Sequence, residues 1–423
     1  MADFHQSGLV PTLHALYSGD SRQAYLEALE AKLEEHAQRR HITLLLPCLF
    51  SELSNGPVLE NIIQQLMPVK YLASIVVALG GTDRPADFAK AQRYFKRLET
   101  RDRSVTVIWI DGPRMQSFFK ELKGQGIPAG LKGKGQSVWL GLGYIFTRGQ
   151  TNIVALHDCD IATYDRLLLA RLIQPVATPW NDYEFSKGYY SRVSFVNKTM
   201  TGRVTRLFVA PFVNAIRGLP IIEQNEHLAR YFDFHHAFRY ILAGEFCFSS
   251  RLGRDLNIAC DWALEVSNLS EVYNRIALRN VCQVDLGLNY EHKHQSLSVE
   301  NNKSGLHGMV IDIAKYYLYY MRSHGCPLND ALLKTICQSY YQTALRYVKI
   351  YSDDAAINEL NYDRNLEEQT VRHFRDFIWT AWEQCQEQQD GAQIPSWNRV
   401  MFCLPEAGPR LVKAVHEDAL AAG

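Results

Sequence analysis

Asn152-Ile153-Val154-Ala155-Leu156-His157-Asp158-Cys159-Asp160 is the stretch on which the fold turns. Its unbroken apolar run has the character of a strand buried on both faces of a parallel sheet. Two carboxylates two residues apart on extended backbone project to the same side. At the carboxyl end of such a strand they face the crevice where open α/β sheets bind ligands. Paired hard oxygen ligands suit Mg²⁺ or Mn²⁺, and Mg²⁺ commonly shares its shell with substrate phosphates. Asp158 and Asp160 are thus a candidate site for a nucleoside diphosphate. Taken alone, an acidic pair after a strand is more often a solvated loop or a helix cap.

Outward from this strand the chain alternates strand and helix. Residues Ser21 to Arg40 have helical composition, with Tyr25, Leu26, Leu29 and Leu33 at helical spacing and Ser21 available as a cap. Strands are expected at Ile42–Pro47, Leu72–Leu79 and Val105–Ile110, and helices at Pro57–Leu66, Ala86–Leu98, Met115–Leu122 and Gln136–Phe146. Such alternation predicts an α/β architecture, a mostly parallel sheet covered by helices on both faces. It stops near residue 175. Residues 180–210 are aromatic and β-branched and read as antiparallel strands, Val204–Val209 among them. A short strand is expected at Val281–Leu288, then helices at Gly308–Met321, Asn329–Ile350 and Leu366–Gln386. The expected divisions are an N-terminal arm and helix (1–40), two halves of an α/β unit (41–175 and 176–300) and a helical region (301–423).

Composition is that of an ordinary soluble globular protein: 423 residues, 47% hydrophobic and 21% charged. With a net charge of zero, bulk electrostatics give no reason to expect nucleic acid or an anionic membrane as partner. Nine scattered cysteines with no CxxC pair fit reduced thiols, and Met-Ala-Asp-Phe-His lacks the features of a signal peptide. Met309–Met321 carries Asp312 and Lys315 and falls short of the roughly 20 residues that span a bilayer. A cytoplasmic protein is expected.

Several segments fall into one order: Leu45-Leu46-Pro47-Cys48-Leu49-Phe50-Ser51-Glu52, Ala78-Leu79-Gly80-Gly81-Thr82-Asp83, Gly133-Lys134-Gly135, Asp158-Cys159-Asp160, Lys187-Gly188-Tyr189-Tyr190, Gly202-Arg203-Val204-Thr205, and Gln283-Val284-Asp285-Leu286-Gly287 with His292 beyond. From about residue 40 to 300 this set resembles the retaining glucosyl-3-phosphoglycerate and mannosyl-3-phosphoglycerate synthases, glycosyltransferases of the GT-A fold. The resemblance implies a Rossmann-like nucleotide-sugar half (41–175), an acceptor-binding and metal-completing half (176–300), and a homodimer. It implies metal-dependent transfer of a hexose from a nucleoside diphosphate sugar to 3-phosphoglycerate or a related small hydroxy acid, in glucosylglycerate synthesis of the compatible-solute type. UDP-glucose is the favoured donor; GDP, mannose and other acceptors stay open.

Residue by residue, the resemblance places the nucleotide sugar at Pro47, Leu49, Glu52, Gly81, Lys134 and Asp158. It puts the metal, Mg²⁺ or Mn²⁺, on Asp160 and His292 with Asp158 beside them. The acceptor falls at Gly202, Arg203 and Thr205, with Lys187 and His294 nearby, and Glu265 lies near the reacting sugar. Asp158, Asp160, Glu265 and Lys134 form the catalytic set. Physical chemistry allows these roles. A carboxylate at 52 can accept from ribose hydroxyls; glycines at 133 and 135 let backbone N–H groups approach an anion beside Lys134; a guanidinium with a hydroxyl cradles carboxylate or phosphate. Plainer readings stand beside them: a capping acid at Glu52, a turn at Gly80-Gly81 with Asp83 as helix N-cap, a surface loop at Gly133–Gly135, a surface arginine at 203 and a helix-surface acid at Glu265. The chain departs from the family pattern at Phe50-Ser51, at Lys198-Thr199-Met200-Thr201, and at Lys293-His294-Gln295. A catalytically silent, metabolite-binding relative is therefore the alternative. A nicotinamide dehydrogenase lacks its Gly-x-Gly-x-x-Gly fingerprint here. The tyrosines at 316, 317, 319, 320, 340, 341 and 347 are expected in a core or a dimer contact.

Overall fold

The computed structural model describes residues 6, 8–54, 56–128, 132–191, 193–287, 291, 305–387 and 393–422. Eight strands form one sheet: β1 (Thr12–Leu13), β2 (Ile42–Leu49), β3 (Ser74–Gly80), β4 (Ser104–Trp109), β5 (Ile153–Leu156), β6 (Phe185–Tyr189), β7 (Phe246–Ser249) and β8 (Val281–Asp285). Their spatial order is β1-β8-β6-β7-β5-β2-β3-β4. All pairings are parallel except those of β7, which runs antiparallel to both β5 and β6. Strand side chains alternate between faces, and the strands feed two cores accordingly. Leu44, Leu46, Ile75, Val77, Ile153 and Ala155 face one; Leu45, Val76, Ala78, Val154 and Leu156 face the other. Helices Arg22–Ala37, Pro57–Leu66, Pro85–Phe95 and Arg166–Ala177 cover the first face, and Pro113–Gly124 and Lys134–Arg148 the second. This mostly parallel, helix-covered sheet followed by a helical C-terminal region is the expected GT-A architecture.

Several local expectations are corrected. Residues 12–13 are not part of a detached arm; they pair with Gln283 and Val284 and supply the edge strand. Thr205–Val209 is a π-helical turn running into helix Ala210–Arg217, not a strand. Burial of Phe208 and Phe212 against Tyr340 and Phe374 outweighs the local β preference of the segment. Helix Pro85–Phe95 starts from Arg84 rather than Asp83, because Pro85 occupies its first position. Thr82, not Asp83, turns the chain there: its hydroxyl accepts from the Arg84 N–H and donates to Asp87.

The helices Leu306–Ser323, Asp330–Ile357 and Arg364–Glu387 pack with Ala210–Arg217. Their tyrosines go largely into this core: Tyr317 and Tyr340 are buried, and Tyr320 stacks on Tyr231 with ring centroids 3.8 Å apart. The chain then returns to the sheet. Trp397 stacks on Trp139 at 4.5 Å and donates its indole N–H to the Trp139 carbonyl at 2.7 Å. Asp418, in helix Ala407–Ala422, accepts the N–H groups of Arg114 and Met115 at 3.0 and 3.1 Å. It caps a helix 300 residues earlier in sequence that has no side-chain cap of its own.

Candidate active site

The site lies where β2, β3 and β5 end. Beyond β5, His157 is fully buried, and its Nδ1 lies 2.9 Å from the Asp158 carbonyl. Burial pushes this imidazole down to about 4, so it stays neutral and helps to fix the turn. Asp158 then projects toward Lys134, the first residue of helix Lys134–Arg148. The ammonium lies 2.7 and 2.9 Å from the two Asp158 oxygens and 2.9 Å from Glu265 Oε1. Glu265 sits in the first turn of helix Leu264–Arg275, where the helix dipole favours a carboxylate. Burial alone would lower the Lys134 pKa, but Asp158 and Glu265 more than offset it and the group is raised. Lys134 is therefore a permanent cation.

Two glycines make the approach possible. A Cβ on Gly135 would collide with the Ala259 carbonyl, so this helix start can lie against the Ala259–Cys260 backbone only without a side chain. A Cβ on Gly244 would stand 2.7 Å from Asp158 Oδ2 and 2.8 Å from Lys134 Nζ. Glu245 follows, fully buried ahead of β7. Asp160 is raised to about 7, first by burial and then by Asp158, with Glu52 and Glu245 adding to it and Lys134 opposing. Asp158 and Glu265 thus flank Lys134 directly, while Asp160 lies in the field of Asp158, Glu52 and Glu245, so carboxylates outnumber the cation here. Hard oxygen donors in such excess fit a divalent cation. Among the described residues no group of three or more metal-type side chains is already arranged around one point. His292, the expected third ligand, and His294 lie outside the described residues.

The remaining residues expected at the nucleotide lie at and after the carboxyl ends of β2 and β3. Pro47 sits inside β2, opposite Ala78, two residues past the point where the β5 ladder ends at Leu45. A proline is tolerated in a strand where its missing N–H breaks no ladder bond. Leu49 ends the strand 56% exposed, and Glu52 lies in the short helix Phe50–Ser54. Gly81 adopts φ +83°, and its N–H donates to Asp111 at 2.8 Å. Asp111 also pairs with Lys132 at 2.6 Å, tying the glycine turn to the segment that carries Lys134.

Among the residues expected at the acceptor, Gly202 takes φ +69° and the Arg203 Nε donates to Glu367 at 3.0 Å. Thr205 opens the π-helical turn, and such turns occur frequently at functional sites. It is 6% exposed, and its hydroxyl has no partner among the described residues. Lys187 lies elsewhere than on a surface cradle: it is fully buried on β6, donating to the Ala243 carbonyl at 2.5 Å and lying 5.6 Å from the Phe246 ring centre. Burial lowers it to about 8, partly countered by Glu265 and Glu245. It underlies the Lys134 cluster. Asp285 of the Val-Asp-Leu-Gly segment is a turn former, accepting from the Gly287 and Ala15 N–H groups. Sequence reasoning did not single out Gly244, Glu245, Arg206 or Glu367. None belongs to a spaced motif, and Gly244-Glu245 ahead of an aromatic strand is the faint signal that was available.

No family model matches the chain. The glucosyl-3-phosphoglycerate synthase of Persephonella marina is 41% identical over 421 residues, covering 99% of each chain. That of Methanococcoides burtonii is 34% identical, over 93% of this chain and 94% of its own. A crystal structure of the Mycobacterium tuberculosis glucosyl-3-phosphoglycerate synthase with Mn²⁺, UDP-glucose and phosphoglyceric acid overlays at a TM-score of 0.48 and 21% identity, over 76% of this chain and 89% of that one, too distantly to assign residues. The full-length identities decide the matter: the chain belongs to the glucosyl-3-phosphoglycerate synthase family of retaining GT-A glycosyltransferases.

Proposed function

We propose that this protein transfers the glucosyl group of UDP-glucose to the hydroxyl of 3-phosphoglycerate with retention at the anomeric carbon. The observation that carries the reading is the meeting of Lys134, Asp158 and Glu265 at 2.7–2.9 Å, from three distant segments. It stands at the crevice where the relatives' nucleotide-sugar chemistry calls for a positioned cation among carboxylates. Asp158 and Asp160 are the residues that would hold Mg²⁺ or Mn²⁺. When bound, the ion supplies charge neutralisation and orientation of the diphosphate leaving group. Lys134 and the N–H groups at its helix start add fixed positive potential on the same side. Arg203, Gly202 and Thr205 hold the anionic end of the acceptor, which aligns its hydroxyl for attack. The C1–O bond to the diphosphate breaks as the acceptor oxygen bonds to C1 on the same face, and the hydroxyl proton passes to the departing phosphate oxygen.

Nucleoside diphosphate release (UDP or GDP according to the donor) would be followed with Mg²⁺ or Mn²⁺, offering UDP-glucose and GDP-mannose, each with 3-phosphoglycerate and with glycerate. The expected result is release dependent on UDP-glucose and 3-phosphoglycerate, abolished by Asp160→Ala. Donor binding without release for any pair would favour the silent-relative reading. A homodimer is proposed from the family resemblance and is checked by sedimentation. No helix among the described residues is long and apolar enough to cross a membrane. The proposed cytoplasmic setting draws support from the nine free cysteines, and the absence of a nucleic-acid partner from the zero net charge.

A further inference from the structure

The acceptor segment is not self-supporting. Glu367, on the C-terminal helix Arg364–Glu387, is 4% exposed and spends both oxygens on it: Oε1 accepts from Arg203 Nε at 3.0 Å and Oε2 from Arg206 Nη1 at 3.1 Å. Arg206 is itself immobilised, donating to the Thr201 carbonyl at 2.9 Å and lying over the Tyr351 ring at 5.1 Å. Glu367 therefore has a fixed anchor on one oxygen and presents the other to Arg203. Arg203 is engaged by its Nε edge; among the described residues its two terminal nitrogens make no bond, and a quarter of its side chain is open to solvent. A guanidinium held by one edge offers its remaining fork to a planar or tetrahedral anion. The buried Thr205 hydroxyl two residues on, without a partner among the described residues, is a second polar group available to an anion. The same C-terminal stretch also pins the short hairpin in which Val193–Ser194 pairs antiparallel with Thr199–Met200, through the Asn361 N–H to the Lys198 carbonyl at 2.6 Å and Asn361 Nδ2 to the Asn197 carbonyl at 3.2 Å.

We propose that Glu367 is a positioning residue for acceptor binding: it holds the Nε edge of Arg203 so that the terminal nitrogens face the anionic end of the acceptor. This rests on the proposed placement of the acceptor at Gly202–Thr205. Two arginines share one carboxylate, so the cluster keeps a net positive charge for an anion. The helical C-terminal region is thereby part of the acceptor site, acting through Arg203.

Initial rates of the full chain, with each substrate varied in turn, test this on wild type, Glu367→Gln, Glu367→Asp and Arg203→Ala. Glu367→Gln is expected to raise KM for 3-phosphoglycerate about tenfold, with kcat and KM for UDP-glucose within about twofold. Glu367→Asp, which keeps the charge on a shorter arm, is expected to recover part of the loss. A general structural defect would move both KM values or kcat, and thermal melts identify it. If the Gln variant does not fold, the Asp variant carries the test, with an acceptor KM raised about threefold. An unchanged or lowered acceptor KM in the Glu367 variants, beside a raised one in Arg203→Ala, overturns the inference and leaves the acceptor placement intact. An unchanged acceptor KM in Arg203→Ala overturns the placement itself, and the inference with it.

Discussion

Replacing Gly244 by alanine is a minimal perturbation aimed at the Lys134–Asp158 pair. Its backbone lies outside the left-handed region, so alanine brings no φ strain. The added carbon would stand 2.7 Å from Asp158 Oδ2 and 2.8 Å from Lys134 Nζ. Ordinary contact begins at about 3.4–3.5 Å, so both charged groups must retreat by about 0.7 Å. Both are the far ends of side chains, one with four flexible bonds, so the cost to folding should stay near 1 kcal/mol. The cost to activity should be much larger, because a misplacement on the order of 1 Å at reacting groups can lose about a hundredfold in rate. Gly244→Ala should therefore lower kcat about 30–100-fold in the UDP-release assay while shifting the melting temperature by only a few degrees. Activity within about threefold of wild type would show that the pair tolerates displacement and does no positioning. A loss that tracks unfolding would show that the glycine serves the fold instead.

Two further perturbations separate the site from its scaffold. Lys187 has a folded pKa lowered from 10.5 to about 8, so its stabilising contribution is present above the unfolded value and lost as pH falls through the folded one. Measured by urea unfolding, wild type should accordingly gain on Lys187→Met by about 3 kcal/mol between pH 8 and pH 10.5; a difference flat with pH would mean that burial does not depress this lysine. Asp418→Ala should cost about 1–2 kcal/mol in the same assay by uncapping helix Pro113–Gly124, leaving kcat close to wild type; no loss of stability would show that solvent can satisfy the two N–H groups.

What the sequence disclosed and what it withheld follow from how local each signal is. The strand before Asp158-Cys159-Asp160, the helix beginning at Lys134 and the three long C-terminal helices each carry their periodicity within one segment, and each is found near its expected place. The edge strand Thr12–Leu13 is two residues long and exists only through its partner β8, so no periodicity could announce it. β7 is four residues long, and its antiparallel direction is fixed by neighbours on both sides. The π-helical turn at Thr205–Val209 resembles a strand in sequence because its β-branched and aromatic composition is local, whereas the Tyr340 hydroxyl that donates to the Leu207 carbonyl at 2.7 Å arrives from 133 residues away. The resemblance places Lys134 at the nucleotide sugar and Glu265 near the reacting sugar, but their ion pair spans 131 residues and no spacing rule reaches that far.

That ion pair bears on how retention can be achieved. A double displacement needs a carboxylate free to attack C1, and a lysine acting as base would have to shed its proton. Lys134 does neither: the two carboxylates keep it charged, and its ammonium engages Asp158 and Glu265 together. Glu265 is mostly buried, and an oxygen committed to an ammonium at 2.9 Å is a poorer nucleophile than a free one. Asp158 and Asp160, which the proposed function gives to the metal, are groups of the kind that hard cations require. In this arrangement Asp158, Asp160 and Glu265 each have an electrostatic part to play, which makes them poor candidates for a glycosyl-enzyme bond. With the acceptor at Arg203 as proposed, same-face attack with the departing phosphate taking the proton asks of these residues only positioning and charge stabilisation.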